Sequence, residues 1–538
     1  MSTNHIFADC IVKRRPAAAL SPLHLLVLLS LALSALIWGT TLIFGGEGVQ
    51  LQRYLGLLAF YTVSSAAFVV SRIRRGKLQL FEIPVFVTIM FFLEFGLVPL
   101  RNFIDPTQID GNLSPNGEEL VQALAYVILG MMAFWIGCEQ ARRKWGHRNS
   151  TGARTQHMAP ESHKGSVLLV SGTLYGVAFI TRAYLLRNHL YAYVGSSEAY
   201  YANLASMQVL NGLSQFGTLA LIVITIERYR NRFDSLWRVL LAAVLSAEVF
   251  WGLISGMKTL LLQNFVVVAL VSSFVMKKLN LRWLLALFFA LVLFYPFSNA
   301  YRLLVREGGM EVTSLEGAAQ AGQMAIAKVG ETESPAGDLW RDGMNKTLQR
   351  LDLLTSVAQV LTLGPRASMV RGDVHWWMLP FYPFVPRFLW PSKPILNEGG
   401  WFTVALEGGH GDPISAGSAT AITYPGDLYL QFGLVGIPIG MLVLGLILQR
   451  ITNLVSGPVE PRDLFFYAAV FLFSFWLETD VFFVWATLIK QLAILYVLRH
   501  LIYGMRKPGS AALAGGGHNS NTPNRRPATF TPAPELHP

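Results

Sequence analysis

FFALVLFYPFSNAYRLLVRE, residues 288–307, begins as an apolar run suited to a membrane interior and ends in charged and polar residues. The next long apolar run starts just as abruptly from a polar edge, in YPGDLYLQFGLVGIPIGMLVLGLILQR, residues 424–450. Between them, from Tyr301 to Gly426, the chain is polar, charged and aromatic by turns. On either side it returns repeatedly to apolar windows. A bilayer core of about 30 Å is crossed by roughly 20 apolar residues in a helix, so the pattern implies a membrane bundle interrupted by one large segment at the membrane surface.

Composition agrees with that reading. Of 538 residues, 53% are hydrophobic and 14% charged, and mean hydropathy is +0.44; in soluble domains roughly a quarter of residues are charged. The formal charge of +11 comes from Lys and Arg gathered in short loops, not from a basic surface interleaved with aromatics, which argues against nucleic acid as a partner. Cys10 and Cys138 stand in unlike surroundings and form neither a disulfide framework nor a metal-ligand pattern. CxxC, HExxH, GxGxxG and Walker-type loops are all missing from the sequence, so the common metal, dinucleotide and ATP chemistries have no motif here.

Twelve apolar windows have span length: 22–44, 54–71, 79–100, 119–139, 166–186, 207–226, 237–254, 259–276, 283–299, 427–448, 463–478 and 481–503. Positive charge alternates between their connections. One set holds Lys13, Arg14 and Arg15; Arg72, Arg74, Arg75 and Lys77; Arg142, Arg143, Lys144 and Arg148; and Arg228, Arg230 and Arg232. Lys277, Lys278 and Arg282, then Arg450 and Arg462, then Arg499, Arg506 and Lys507 continue it. The other set is poor in cations: GGEGVQLQ has none, and the loop after Leu100 has Arg101 against Asp105, Asp110, Glu118 and Glu119. Because Lys and Arg concentrate on the cytoplasmic side, both termini are expected in the cytoplasm and the large segment outside it.

The expected organisation is a cytoplasmic N-terminus over 1–21, helices 1–9 over 22–299, a large outward segment over 300–426, helices 10–12 over 427–503, and a tail over 504–538. The first apolar run is long and lacks a small-residue cleavage site, so it reads as a retained signal anchor. The tail is low in apolar bulk and rich in Gly, Pro, Asn and Ala, a composition expected to be disordered. No internal repeat is evident, which disfavours inverted-repeat transporter architectures.

Within the outward segment, LEGAAQAGQMAIAKVG and KTLQRLDLLTSVAQVL read as amphipathic helices, the second with Leu348, Leu351, Leu354, Ala358 and Leu361 on one stripe. They are expected on the membrane surface or capping a site. In MLPFYPFVPRFLWPSKP, prolines at 380, 383, 386, 391 and 394 forbid a regular helix. A Gly- and Ser-rich stretch follows and leads into the tenth window.

The order PRFLWPSKP, then a small-residue stretch containing SAT, then YPGDLYLQFGLVGIPIGMLVLG resembles the signature region of bacterial Wzy-type oligosaccharide repeat-unit polymerases, the O-antigen and exopolysaccharide polymerases. The helix, turn, helix unit FWGLISGMKTLLLQNFVVVALV is a second point of likeness, with Lys258 where that family often has a Gly, Ser and Arg turn. The resemblance implies an all-α polytopic membrane protein of about twelve transmembrane helices, GT-C-like, with its large loop between helices 9 and 10. It implies an enzyme of the bacterial inner membrane that moves a glycan from undecaprenyl pyrophosphate to an incoming lipid-linked repeat unit, at the outer face. No nucleotide sugar and no obligatory metal or other cofactor is implied; the partners implied are the lipid-linked oligosaccharide, membrane lipids and a chain-length regulator.

That chemistry asks two things of the protein. A leaving pyrophosphate needs fixed cations, and Arg302, Arg306 and Arg387 are the first candidates, with Lys258 and Arg366 behind them. Arg302 and Arg306 share one face if the helix continues; alternatively they are arginines snorkelling at the interface. An acceptor hydroxyl must lose its proton to a carboxylate or His. Candidates are Glu248, Glu478, Asp480, His410, Asp412 and Asp427. Glu248 lies in mid-span, where an ionisable side chain costs roughly 2.5 to 3.5 kcal/mol and faces a cavity or a partner; it reads either as the catalytic carboxylate or as a paired structural one. Glu94 is a similar case. Asp427 also suits a helix cap, and His410 an ordinary loop histidine. Trp376, Trp377, Trp390 and Trp401 could stack on sugar faces or anchor the chain at the interface. An O-antigen ligase is disfavoured because the loop has no clear His followed by Asn, whereas a lipid-linked oligosaccharide flippase or other secondary transporter remains open on span count.

Overall fold

The computed structural model describes residues 49–73, 81–104, 115–146, 164–192, 203–231, 233–307, 312–330, 348–364, 398–407, 420–455, 460–474 and 479–503, together with positions 310, 382, 385, 389, 390 and 393. Among the described residues all regular structure is helical. Nine helices are long and apolar enough to cross a membrane: 50–72, 83–103, 117–144, 164–187, 209–230, 235–254, 258–276, 424–455 and 483–503. The window at 283–299 falls in the 22-residue helix Leu281–Arg302, and that at 463–478 in the 13-residue helix Pro461–Phe473. The first window and the tail lie outside the described residues.

We label the helices in chain order. α1 (Val49–Ile73), α2 (Ile83–Phe92), α3 (Arg101–Ile104), α4 (Gly117–Gly146) and α5 (Lys164–Arg187) come first. They are followed by α6 (Leu204–Ser214), α7 (Phe216–Arg230), α8 (Ser235–Ile254), α9 (Lys258–Met276) and α10 (Leu281–Arg302). α11 (Leu315–Gly330), α12 (Leu353–Leu363) and α13 (Glu398–Leu406) belong to the polar segment, and α14 (Tyr424–Thr452), α15 (Pro461–Phe473) and α16 (Val481–Tyr503) close the bundle.

α4 and α14 form the closest helix pair, for a reason visible in their small residues. A Cβ on Gly137 would collide with the Leu442 carbonyl, and one on Gly445 with the Phe134 carbonyl. Backbones that meet without side chains between them gain dispersion contacts that lipid cannot offer. The Cys138 thiol donates to the Gly445 carbonyl at 3.4 Å in the same contact, so this cysteine is a packing residue. Around the pair, Phe91, Phe95, Phe134, Tyr424, Phe465 and Tyr467 are all fully buried.

Three helices depart from regular geometry. α2 passes through a π-turn at Leu93–Leu97 and a 3-10 turn at Val98–Leu100 before α3. Pro99 has no N–H to donate back along the helix, and the Tyr54 hydroxyl donates to the Gly96 carbonyl at 2.8 Å. α10 likewise ends in a π-turn, Leu303–Glu307. α14 breaks at Gly433, whose φ of 66° is in the left-handed region. The break is sharp: a Cβ on Gly440 would strike the Leu428 side chain, and one on Gly436 the Leu428 carbonyl and Phe432. The first part of α14 therefore folds back on the second, so what reads as one continuous apolar run is a short helix followed by a spanning one.

α12 is not a surface helix. Leu353, Leu354, Val357, Ala358 and Val360 are buried, packed against α4, α14 and the π-turn of α2. The predicted helix over 346–361 is divided at Asp352, which leaves the helix and caps α12 instead. α11 matches its expected limits and lays Ala318, Ala321 and Ala325 against α10.

Candidate functional site

One end of the bundle carries the loops predicted to be basic, and several of the described charges there are paired. The Arg72 guanidinium donates to the Gln449 amide oxygen at 2.7 Å and lies 3.6 Å from Glu82. Glu139 takes Arg142 at 2.5 Å and Arg143 at 2.9 Å, Glu227 takes Arg230 at 3.2 Å, and Arg462 lies 2.8 Å from Glu460. The candidate residues collect at the opposite end.

There α8 and α9 are joined by a tight turn, Ser255 to Met257, with Gly256 at φ 67°. The Ser255 hydroxyl donates to the Gly252 carbonyl at 2.7 Å and accepts from the Met257 N–H at 3.0 Å. The turn is further tied to α10 by the Ser298 hydroxyl, 3.2 Å from the Gly256 carbonyl. This geometry sets Lys258 at the first position of α9 and brings it to Arg302, the last residue of α10. The charges of Arg350 and Arg302 both act on the Lys258 ammonium. Three cations, from three separate parts of the chain, thus stand within electrostatic range of one another at one end of the bundle. Lys258 and Arg302 were expected from the sequence; Arg350, which is exposed, was not singled out there.

Two residues after Arg350 comes Asp352. That carboxylate accepts from the Asn102 amide at 2.6 Å, the Thr355 hydroxyl at 2.8 Å and the Thr355 N–H at 3.2 Å. The Asn102 amide also donates to the Thr355 hydroxyl oxygen at 3.0 Å. Burial pushes the Asp352 carboxyl above the usual carboxylate range, against the pull of these bonds and of the Arg101 charge.

A group of three carboxylates stands at the same end. Oxygens of Glu398, Asp427 and Asp480 all lie within 4.8 Å of one another. The fold-back of α14 carries Asp427 there, 3% exposed. Its oxygens accept from Gln431 at 2.8 and 2.9 Å and from the Val481 N–H at 2.7 Å, and the Trp485 indole donates to the Tyr424 hydroxyl at 3.0 Å alongside. Asp427 was expected either as a site residue or as a helix cap; the cap of α14 is Thr423, whose hydroxyl accepts from the Gly426 N–H at 3.1 Å. Oxygen ligands at this spacing suit a hard divalent cation.

Glu248 lies deeper, 2% exposed, and is paired. Arg182 of α5 grips it with two nitrogens at 2.5 and 3.1 Å. Gly217 of α7 makes room for the pair, because a Cβ there would overlap both side chains. The sequence reading did not name the partner: Arg182 and Glu248 are 66 positions apart on different helices. Glu94 is buried within the π-turn of α2.

Trp390 packs edge-on against Tyr382 at 6.1 Å. Lys393, not singled out by the sequence, is buried over the same Tyr382 ring at 4.1 Å and donates to the carbonyls of Tyr382 at 2.7 Å and Val385 at 2.9 Å. A lysine flanked by aromatic and proline residues was the available signal; here it ties the proline-rich stretch together. Trp401 is on α13. Arg366, Trp376, Trp377, Arg387, His410, Asp412 and Glu478 lie outside the described residues, and of Arg306 only the backbone, within the π-turn after α10, is described.

A family model described as a domain of unknown function, DUF8712, matches residues 177–457, more than half of the chain. The chain belongs to the DUF8712 family. The matched segment runs from the middle of α5 to just past α14 and takes in Arg182, Glu248, the three-cation group, Glu398 and Asp427; Asn102 and Asp480 lie outside it. No solved structure matches the chain.

Proposed function

We propose that this DUF8712 protein is a membrane glycosyltransferase that polymerises undecaprenyl pyrophosphate-linked oligosaccharide repeat units into O-antigen, capsule or exopolysaccharide at the periplasmic face of the bacterial inner membrane, with both termini cytoplasmic. The observation that carries the reading is the tight turn at Gly256, tied to α10 through Ser298, which sets Lys258 at the start of α9 near Arg302 at the end of α10, with the Arg350 charge in range, at one end of a bundle of span-length helices. Like charges repel, so a group of cations is worth assembling where a polyanion is to be held. A pyrophosphate leaving group accumulates charge as its bond to the sugar breaks, and cations fixed beforehand lower that barrier without reorganisation.

In this scheme the anomeric carbon to phosphate-oxygen bond breaks, and its electron pair leaves with the lipid pyrophosphate. The acceptor hydroxyl oxygen forms the new glycosidic bond and gives its proton to a carboxylate. Among the candidates, Asp427 beside Glu398 and Asp480 is the better acceptor, because both oxygens of Glu248 are already engaged by Arg182. Glu248 then supports the site from beneath as half of an ion pair. Arg306, Arg366 and Arg387 are assigned to the same polyanion, and His410 and Trp390 to the sugars.

The test is glycan electrophoresis of a deletion strain and of Arg302→Ala. Deletion should leave single repeat units and remove the long-chain ladder, and Arg302→Ala should do the same with the protein still in the membrane. A normal ladder in either strain sinks the proposal. A second reading, a lipid-linked oligosaccharide transporter, draws on the buried Arg182–Glu248 pair and the broken helix at Gly433; on that reading exported units vanish altogether.

A further inference from the structure

We infer that Asp352, bridged to Asn102, is a positioning residue that fixes Arg350 within the three-cation group. Its consequence for ligand binding rests on the polyanion reading above, but the placement itself does not. An exposed arginine on a surface segment would ordinarily sample many positions, since its side chain loses about 2 kcal/mol of rotamer entropy when fixed. Arg350 instead sits two residues before a buried carboxylate with three protein donors, one of them 250 positions away in sequence. Asn102 belongs to the short helix that ends the irregular α2–α3 segment, and it is itself buried. The Asn102 amide thus spans the gap between that segment and the start of α12, while the apolar face of α12 is held by α4 and α14. With both anchors in place, the backbone two residues beyond Arg350 is fixed at both the α3 and the α12 side, and this sets where Arg350 extends from.

The bridge is more than a helix cap. Capping of α12 needs only the Thr355 N–H and the Asp352 side chain. The Asn102 contact adds nothing to that cap and ties the turn to a different part of the bundle. Asn102→Ala therefore separates the two roles: it removes the bridge and leaves the cap. Asp352→Ala removes both and is more liable to misfold.

The experiment uses the full-length protein in lipid nanodiscs with Cys10→Ser, spin labels on Thr259→Cys and Gln349→Cys, and a pyrophosphate titration on the unlabelled protein. Thr259 and Gln349 are exposed and adjoin Lys258 and Arg350. Asn102→Ala should broaden the label-to-label distance distribution. It should weaken pyrophosphate binding by about tenfold, the size of one displaced charge-assisted contact, as Arg350→Ala does, and the double variant should bind no more weakly than either single. An unchanged distance distribution overturns the inference, as do additive losses in the double variant. If the parent protein binds no pyrophosphate while Asn102→Ala still broadens the distribution, the polyanion reading fails and the positioning role stands.

Discussion

The two ends of this bundle handle charge in opposite ways. At the basic end, Arg72, Arg142, Arg230 and Arg462 each lie against an acidic partner, so opposite charges alternate and local fields cancel. At the other end, whatever further partners these side chains have, like charges come near one another: Lys258, Arg302 and Arg350 in one place, and Glu398, Asp427 and Asp480 in another. Pairing is what stability alone favours. Like charges brought close repel, and in our reading a ligand that carries charge offsets that repulsion. The lesson extends beneath the surface, where the buried pair Arg182–Glu248 follows the pairing rule of the basic end although it lies under the other one.

The largest effect that would break this comparison lies in that pair. Removing one partner leaves a buried charge without compensation, which costs roughly 3 to 5 kcal/mol. Glu248→Ala and Arg182→Ala should each sharply lower the thermal unfolding temperature in detergent, whereas the double change to Met at both positions should recover most of the loss. If Glu248→Ala keeps its stability and loses only activity, the glutamate is a catalytic group after all and the pairing rule does not govern the interior.

A smaller contrast compares the ends directly. Arg72 has only 6% of its side chain exposed and holds both Gln449 and Glu82, so Arg72→Met should destabilise by about 1 to 3 kcal/mol, the cost of leaving buried polar groups unsatisfied. Lys258→Met gives up the partners of Lys258 but also relieves repulsion from Arg302 and Arg350, and should cost less than Arg72→Met. Equal losses at the two positions would show that the contrast between the ends is only apparent.

Much of this was legible in the sequence, and the exceptions share a cause. Apolar windows and loop charges locate the spans because a bilayer imposes one length and one periodicity. The turn at Gly256 and the cations Lys258 and Arg302 could be read locally, since each lies at a change from apolar to polar residues. The fold-back at Gly433 was hidden because its two helices are equally apolar, so hydropathy runs through the break; only the glycines at 433, 436 and 440 marked it. Arg350, Glu398, and Arg182 as the partner of Glu248, depend on residues far away in the chain meeting in space. Asp352 was read as part of a helix because its neighbours keep the helical stripe, although a buried Asp with a distant Asn partner gains more by capping than by continuing the helix.

The smallest expected effect is a pH dependence at Asp352, the only acid in the bridge to the end where like charges come near one another. Burial raises its carboxyl above the ordinary carboxylate value. Between the unfolded value and that raised one, the folded protein holds a proton that the unfolded chain does not. Stability from this group is then greatest at low pH and declines as pH rises through the window, after which the cost of burying the charge is borne in full. Asp352→Asn keeps a capping side chain and removes the titration. The stability of the parent protein relative to Asp352→Asn should therefore fall as pH is raised from 4 toward 8, measured by thermal unfolding in matched buffers. A difference that is flat, or that turns in favour of the parent as pH rises, would mean that Asn102, Thr355 and the Arg101 charge outweigh burial, and that the carboxylate is an electrostatic asset of that end and not a cost it carries.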